Sequence, residues 1–454
     1  MRSLVSAAPR GRPLALPGSV SLGGLILATT LPIVFLHVDY QPSASLHVAG
    51  AHATFKLQDA FVLLTILAAA TQARSRLLRP GQPVWTTQAL LLVWIVAAVF
   101  YPLASSRAYA WKTHLVTAGE FGEYMLLAPA VPLLVRRRAD ALLALGTLVA
   151  WTVIATGVGL VQWGGWSGLA GWGQGHRQPS FLGTHDFAAL AGMTLGIGLV
   201  ALLWRVRERP LRIGAWVAVV TGVVGFVLGG ATAGVIGLVP AALAAVVLAT
   251  RRGLVGRRAL VATLAATAVA SLGVVALRAG DFGQFFRFLG VEQTQSSTNT
   301  HIQTYSQRTV LAYIGARIWL HHPIVGVGWE GSNDPSAFAR ELPAAHKRFP
   351  HVAAIAFPSA QHRYGVQILY VQTLADLGVV GFLLLVAVFA AGILVAVRTA
   401  LRAPPRVAFA ATLGLFWIVL SLGLWSAVGL VAGIPLDALT WFAFGAVCIP
   451  AVAD

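Results

Sequence analysis

The chain has 454 residues, of which 57% are hydrophobic and only 10% are charged, and its mean hydropathy is +0.77. This composition is too apolar for an ordinary soluble domain and predicts that most of the chain lies in lipid. The net charge of +17 does not indicate a nucleic-acid binder, because the basic residues punctuate apolar runs instead of clustering on one surface. The single cysteine, Cys448, excludes a disulfide framework, and we interpret it as a packing residue.

A membrane-spanning helix needs about 20 mostly apolar residues, and the sequence contains twelve runs of roughly this length. In chain order they cover residues 18–38, 57–73, 86–104, 112–135, 140–163, 185–204, 211–230, 232–250, 258–278, 371–397, 406–430 and 435–452. We therefore predict an all-α fold, a polytopic membrane protein with about 12 transmembrane helices. The run at 57–73 is short, and the turn near Ala231 is inferred from length alone.

The distribution of Lys and Arg predicts the orientation, since cytoplasmic loops of membrane proteins are enriched in both. Most of the 32 basic residues fall on one side of the predicted helices. They lie in the N-terminal segment and in the loops at 74–79, 136–138, 205–212, 251–258 and 398–406. We expect that side to be cytoplasmic and to hold both termini, in a bacterial inner (plasma) membrane.

Only one segment outside the predicted helices is long, residues 279–370 between the ninth and tenth helices. The chain then divides into helices 1–9 (1–278), an extracytoplasmic catalytic loop (279–370) and helices 10–12 (371–454). Long loops in compact proteins are usually functional or disordered, and the aromatic and helical signals here favour function. The spacing predicts an amphipathic helix from Thr309 to His322 that stops at Pro323.

Three arginines are candidates for binding phosphate. Arg308 and Arg317 lie on the helix predicted over 306–322, and Arg177 is the only strongly basic residue of a short external loop. A guanidinium group binds phosphate oxygens through two hydrogen bonds and keeps its charge. A solvated helix face explains Arg308 and Arg317 about as well. Arg177 would lie near the depth of a lipid diphosphate.

The sequence Gln361-His362-Arg363-Tyr364 stands just before the tenth predicted helix. His362 could accept a proton from a hydroxyl near neutral pH, although a histidine in a loop is more often solvated. His321 and His322 are adjacent and would point apart on a helix, so they do not form a metal site. We expect no metal and no cofactor, and a donor already activated by a lipid diphosphate.

Ionisable residues also occur within or beside the predicted spans. Asp59, Lys112, Glu120 and Glu123 are such residues, and the last three could share one helix face. Charged groups in a membrane are costly and usually face a partner or a cavity. We favour a structural ion-pair role and keep a polar substrate cavity as the alternative.

The order of these features resembles the O-antigen ligase and polymerase family of bacterial envelope glycosyltransferases, over about residues 140–400. A weaker part of the resemblance runs from Arg177 to Asp186. The more specific pieces are Arg308…Trp319…His322-Pro323…Gly326-Val327-Gly328 and Gln361-His362…Tyr364…Gln367…Leu374-Ala375-Asp376-Leu377-Gly378…Gly381.

The resemblance implies a twelve-helix fold whose extracytoplasmic loop caps a lateral cavity, a donor glycan linked to polyprenyl diphosphate, and catalysis without metal. It implies that His362 is the base for the acceptor hydroxyl and that Arg308 binds the diphosphate. We assign Arg177, Arg363, Arg317 and Tyr364 to substrate binding. The acceptor would be a lipid, a glycan or a protein, and no nucleic acid is involved.

This chain departs from the family pattern at two positions. Ala233 stands where the family usually has an arginine, and Arg363 stands where it has an asparagine. Either Arg177 or Arg363 supplies the missing charge, or the donor differs, or ligase activity has been lost. The nearest rival activity is polymerisation of lipid-linked repeat units. The sequence is also compatible with a non-catalytic transporter of polar or lipid-linked cargo and with a purely structural membrane protein.

Overall fold

The computed structural model of the protein describes residues 20–48, 51–104, 109, 111–165, 176–288 and 304–449. Within these ranges the chain is almost entirely helical. The helices are α1 Leu22–Val34, α2 Leu57–Ala70, α3 Ser75–Leu78, α4 Gln82–Phe100, α5 Trp111–Met125, α6 Leu127–Leu134, α7 Arg138–Trp163, α8 Thr184–Leu203, α9 Arg209–Gly229, α10 Thr232–Arg251, α11 Arg257–Leu277, α12 Ala279–Phe288, α13 Thr304–His321, α14 Pro335–Phe338, α15 Leu342–Arg348, α16 Leu369–Arg402, α17 Pro405–Leu424 and α18 Pro435–Val447.

Eight helical segments of the described chain are long and apolar enough to cross a membrane. They are Ser75–Ala104, Arg138–Trp163, Thr184–Leu203, Arg209–Gly229, Thr232–Arg251, Arg257–Leu277, Leu369–Arg402 and Pro405–Leu424. Three shorter apolar helices, α1, α2 and α18, have 13 or 14 residues. The prediction of an all-helical, polytopic membrane protein is confirmed at this level.

Every one of the twelve predicted runs contains helix, but the run at 112–135 is interrupted. It forms two helices, α5 and α6, that are separated at Leu126. Pro129 explains the break, because it has no N–H to donate to the carbonyl of Met125. The predicted turn near Ala231 is also present, since α9 ends at Gly229 and α10 starts at Thr232.

One β-hairpin departs from the all-α prediction. Strand β1, Ser43–Val48, pairs antiparallel with β2, Ala51–Lys56, and Ser43 lies opposite Lys56. The hairpin connects α1 to α2 and lies between the first two predicted helices, where no strand was predicted.

Helix α8 is the centre of the bundle and is buried along nearly its whole length against α9, α10 and α17. Small residues allow the close approach. A Cβ placed on Gly198 would lie 2.6 Å from the carbonyl oxygen of Ala215, and one on Gly222 would lie 2.7 Å from the backbone nitrogen of Leu195. Such contacts between small residues are a main source of helix association in lipid, where no hydrophobic force acts between helices.

The segment between α11 and α16 has its own small core. Val310, Ile314 and Ile318 repeat every four residues on α13 and pack with Phe338 and Phe357. This spacing places the three apolar side chains on one buried face, but Leu320 is exposed, so the apolar residues of α13 are not confined to that face as the amphipathic prediction requires. Helix α13 ends at His321, two residues before Pro323, so the prediction of a helix that stops there is confirmed.

Candidate functional site

Two neutral side chains hold the guanidinium group of Arg308. Its Nη2 lies 3.2 Å from Nε2 of His185, and its Nε donates to Oε1 of Gln367 at 3.3 Å. The guanidinium is always a donor, so Nε2 of His185 accepts and its proton belongs on Nδ1. Neither contact cancels the positive charge of Arg308. The two contacts therefore orient the guanidinium group without neutralising it.

Two further arginines lie close enough for their charges to act on Arg308, namely Arg177 and Arg278. Both are buried, at 6% and 5% exposure. Arg278 Nε forms an ion pair with Oδ2 of Asp281 at 2.6 Å, and its Nη2 donates to the hydroxyl of Tyr305 at 3.2 Å. We call Arg177, Arg278 and Arg308 the arginine cluster. The carboxylate of Asp281 acts on the charges of Arg278 and Arg177.

Gly230 makes room for Arg177. It ends α9 in the left-handed conformation, with φ of 59°, and a Cβ on it would lie 2.7 Å from Cγ of Arg177. Glycine is the residue that adopts this conformation and tolerates this approach. The backbone N–H of Gln178 donates to the carbonyl of Leu228 at 2.9 Å, so the segment that carries Arg177 is attached to the end of α9.

Three helices begin at the arginine cluster. Thr232 is the first residue of α10, His185 is the second residue of α8, and Tyr305 is the second residue of α13. The hydroxyl groups of Thr232 and Tyr305 are 2.7 Å apart. Helix N-termini carry a partial positive charge and unpaired N–H groups, which favour anions. The helices thus reinforce the charge of the arginines.

Burial and mutual repulsion raise the free energy of the positive charges on Arg308 and Arg177. Burial and the neighbouring positive charges, with Arg177 first among them, lower the pKa of Arg308 to about 10. Burial and Arg278 likewise lower the pKa of Arg177 to about 10, while Asp281 and Tyr305 act in the opposite direction. Both arginines remain charged at neutral pH. An arrangement that raises the free energy of its own charges is typical of a site for an anion.

Arg278 is a site residue that the sequence analysis missed. Ala233 is buried in the first turn of α10 and offers no charge, whereas Arg278 follows the end of α11 and contacts Tyr305. The sequence did contain a signal. Arg278 is a lone basic residue at the end of an apolar run whose opposite end carries four arginines. Arg278 is therefore a further candidate for the charge that Ala233 lacks.

The residues around His362 form an exposed loop. The side chains of His362 and Arg363 are exposed, and the ring of His362 stacks on that of Tyr364 with the centroids 5.8 Å apart. The backbone N–H of His362 donates to Oγ of Ser359 at 3.0 Å. In the motif that starts at Gln361, the side chain of Gln367 contacts Arg308. The imidazole in contact with Arg308 is His185, which no part of the sequence analysis singled out as a site residue.

Arg317 lies further along α13 than Arg308 and is not part of the arginine cluster. Its Nε is 2.7 Å from Oε2 of Glu341, whose other oxygen is 2.8 Å from Nδ1 of His321. Nine residues of helix separate Arg317 from Arg308, which corresponds to about 14 Å along the axis. The structure therefore does not bring Arg317 and Arg308 together, and substrate binding by Arg317 stays a prediction.

The two most specific pieces of the sequence pattern contact each other. The N–H groups of Val327 and Gly328 donate to the carbonyls of Ala375 and Asp376, both at 2.9 Å. Gly378 has φ of 66° and forms a kink in α16, and a Cβ on it would lie 2.2 Å from the carbonyl oxygen of Ile324. These glycines allow the loop after α13 to lie directly on α16, which positions both motifs.

Asp59 on the second helix has local partners, whereas Oε1 of Glu123 on the fifth helix is buried without a hydrogen-bond partner among the described residues. Oδ2 of Asp59 accepts from the backbone N–H of Lys56 at 2.8 Å, and Oδ1 accepts from the hydroxyl of Tyr124 at 3.3 Å. Lys112 lies 5.8 Å from the centre of the Trp111 ring. Within the described ranges, no three His, Cys, Asp or Glu side chains are grouped as ligands for a metal ion.

Comparison with known proteins adds one match. Residues 217–386 match a family model described as O-Antigen ligase. The match covers α10 to α13 and the first half of α16, and it includes Arg278, Arg308 and His362. It ends before α17 and begins after Arg177 and His185. A search of curated proteins found no match.

Proposed function

We propose that the protein is a membrane glycosyltransferase that uses a glycan linked to polyprenyl diphosphate, since residues 217–386 match a family model described as O-Antigen ligase. It transfers this glycan to an acceptor hydroxyl on the extracytoplasmic face. The observation that carries the proposal is the arginine cluster, in which Arg308 is held by neutral partners next to Arg177 and Arg278.

The charge of the cluster suits a diphosphate diester. Among the described residues, the three guanidinium groups outnumber the carboxylate of Asp281, and this excess of positive charge suits a diphosphate that carries a substituent at each end. Guanidinium groups bind phosphate oxygens in pairs and stay charged. Donors that are already oriented cost no reorganisation when charge develops on the leaving diphosphate.

The reaction follows from these assignments. The acceptor oxygen attacks the anomeric carbon of the first sugar, and the bond from that carbon to the diphosphate oxygen breaks with inversion. The bonding electrons leave with the polyprenyl diphosphate, whose charge the arginine cluster stabilises. His362 takes the proton of the acceptor hydroxyl. A general base at this step contributes typically about 10²- to 10⁴-fold in rate.

The membrane arrangement of the proposal has twelve spans and both termini in the cytoplasm of a bacterial inner membrane. The arginine cluster and residues 279–370 then lie on the extracytoplasmic side. The basic loop at residues 251–258 supports this orientation, because it connects the opposite ends of α10 and α11 from those at the cluster. Labelling of single cysteines at positions 252 and 363 in a Cys448→Ser background tests it, since only the second should react in intact cells.

Transfer in a purified system tests the proposed reaction. Protein reconstituted in liposomes with polyprenyl-diphosphate glycan and an acceptor-lipid extract should release polyprenyl diphosphate and form a glycosylated acceptor. We expect Arg308→Ala to lower the rate at least about 100-fold, since two hydrogen bonds from a charged group contribute about 1.5–3 kcal/mol each. Arg251→Ala, at the other end of α10, is the control and should leave the rate unchanged. A wild-type protein that releases no polyprenyl diphosphate would overturn the proposal.

Ligase and polymerase activities differ only in the acceptor. Both need the same diphosphate site and the same base, so the arginine cluster supports both. Product analysis in the same liposomes separates them. A ligase joins the glycan to a different lipid, whereas a polymerase lengthens the glycan that remains on polyprenyl diphosphate.

A further inference from the structure

A second polar site lies at the other end of α13, away from the arginine cluster. It is a cleft between the end of α13 and the helices α14 and α15, with about 260 Å³ of space that is partly open to solvent. The polar groups that line it include His321, His322, Ser336 and Arg340. Arg340 is exposed.

A buried carboxylate fixes His321 in this cleft. The side chain of Glu341 is only 2% exposed, and its oxygens are 2.8 Å from Nδ1 of His321 and 2.7 Å from Nε of Arg317. The ring is one-third exposed, at 33%. Because Nδ1 donates to the carboxylate, Nε2 is the other ring nitrogen, and it donates to an anion in the imidazolium form, in which both nitrogens carry a proton.

The charges at the cleft favour an anion. Arg317 already balances the carboxylate of Glu341. The walls also carry the guanidinium of Arg340, the imidazole of His321 and the hydroxyl of Ser336. A guanidinium beside imidazole and hydroxyl donors is a suitable set for the oxygens of a phosphate group.

The surface next to the cleft is apolar. Leu320 and Ile324 are exposed at 65% and 67%, and Val325 is exposed as well. This surface continues onto a membrane helix, because the N–H of Val379 on α16 donates to the carbonyl of Pro323 at 2.9 Å. One turn further along α16, Leu383 is also exposed. Trp319, whose Nε1 donates to the carbonyl of Pro323 at 3.2 Å, is of the residue type that prefers the membrane interface.

We infer that this cleft binds the phosphate headgroup of an anionic membrane lipid, whose acyl chains lie on the apolar surface of Leu320, Ile324 and α16. Arg340 and Nε2 of His321 contact the phosphate, and Glu341 and Arg317 keep the imidazole in place. A basic pocket beside exposed apolar residues is the arrangement that recognises both parts of an anionic lipid.

The lipid site is separate from the arginine cluster. His321 and Arg308 are thirteen residues apart on α13, which is about 20 Å along the helix axis and places them on roughly opposite sides of it. Lipid binding in the cleft therefore does not depend on the proposed glycan transfer, and the two can be tested independently.

Photolabelling tests the inference in the full-length protein. The protein is placed in phosphatidylcholine nanodiscs that contain a phosphatidylglycerol probe with a photoreactive group on one acyl chain, and labelled peptides are quantified by mass spectrometry. We expect label on residues 319–327 that falls at least five-fold in Arg340→Gln and in His321→Asn. Asparagine retains an N–H near the position of Nδ1, so the second variant keeps a donor for Glu341 while it removes Nε2.

Two control variants make the result specific. Arg348→Gln removes an exposed arginine at the end of α15 that does not line the cleft, and Arg308→Ala disrupts the arginine cluster. Both should label residues 319–327 as strongly as the wild type. The inference is overturned if a phosphatidylcholine probe labels these residues equally well, or if Arg340→Gln and His321→Asn leave the labelling unchanged. Loss of labelling in Arg308→Ala would also overturn it, since the two sites would then not be independent.

Discussion

The Nη2 atom of Arg308 lies 3.2 Å from Nε2 of His185, which joins the helix α13 to the first turn of the most buried membrane helix, α8. The contact is between a charged donor and a neutral acceptor. It orients the guanidinium group and leaves its charge available for an anion. An acidic partner at this position would have held Arg308 equally well and cancelled the charge.

Arg278 should matter for diphosphate binding about as much as Arg308. In Arg278→Gln, the affinity for inorganic pyrophosphate should fall roughly 10- to 100-fold, because one charge-assisted contact contributes about 1.5–3 kcal/mol. Isothermal titration calorimetry of the purified protein measures this. The matched control is Arg252→Gln, which removes a basic residue at the end of α10 opposite to the arginine cluster. Equal affinities in wild type and Arg278→Gln would remove Arg278 from the site.

Anion binding should stabilise the protein in a pH-dependent manner. Burial and neighbouring cations lower the pKa of Arg308 and of Arg177 to about 10, below the usual 12.5. A base with a lowered folded-state pKa destabilises the fold while it is charged, and this penalty is lost as the pH rises through the folded pKa. Pyrophosphate offsets the penalty only while the arginines are charged.

We therefore expect a larger thermal shift with pyrophosphate at pH 7.5 than at pH 10.5. At 100 times the dissociation constant the ligand should add about 2.7 kcal/mol of stability. Differential scanning fluorimetry in detergent gives the shifts, with sulfate as the comparison anion. The same shift at both pH values, or the same shift in Arg308→Gln, would contradict the assignment of these charges to the ligand.

His362 should be needed for transfer but not for diphosphate binding. His362→Ala should lower the rate of glycan transfer about 10²- to 10⁴-fold, the range for loss of a general base. Its affinity for pyrophosphate should stay within two-fold of the wild type. His351→Ala, an exposed histidine of the same segment, should have no effect on either measurement. If His362→Ala transfers at the wild-type rate, another group accepts the proton.

Gly378 should be essential for the fold around the two motifs. Its φ of 66° and the 2.2 Å distance from an ideal Cβ to the carbonyl oxygen of Ile324 leave no room for a side chain. Gly378→Ala should destabilise the protein by more than about 2 kcal/mol. Gly146→Ala on α7 is a suitable control, because a Cβ there has no neighbour within 4 Å and should stabilise the helix by about 0.5–1 kcal/mol. Thermal unfolding in detergent compares them.

The sequence by itself determined the class of the fold, because apolar length is a local property. Each run of about 20 apolar residues must form helix in lipid, where backbone polar groups have no water to bond. The apolar period at Val310, Ile314 and Ile318 and the proline at 323 likewise predicted α13, and the structure has it at Thr304–His321. The order of the motifs predicted a resemblance to the O-antigen ligase family, and residues 217–386 match a family model described as O-Antigen ligase.

Other elements could not be found in this way. The hairpin at Ser43–Lys56 is short and lies between two helices, so helical length carries no signal for it. The break between α5 and α6 is hidden in a continuous apolar run, where only the proline marks it. The roles of His362, Arg363, Arg317 and Tyr364 stay predictions, and the variant His362→Ala tests the first of them.

Only the tertiary structure decided which charges meet. Arg177, Arg278 and Arg308 lie on three different segments, and no spacing along the chain relates them. Their neighbourhood depends on Gly230, which lets Arg177 lie against the end of α9, and on Tyr305, which contacts both Arg278 and Thr232. Each apolar run forms a helix independently, because its backbone groups must bond to one another in lipid. The arginine cluster, in contrast, depends on how the ends of several helices pack together.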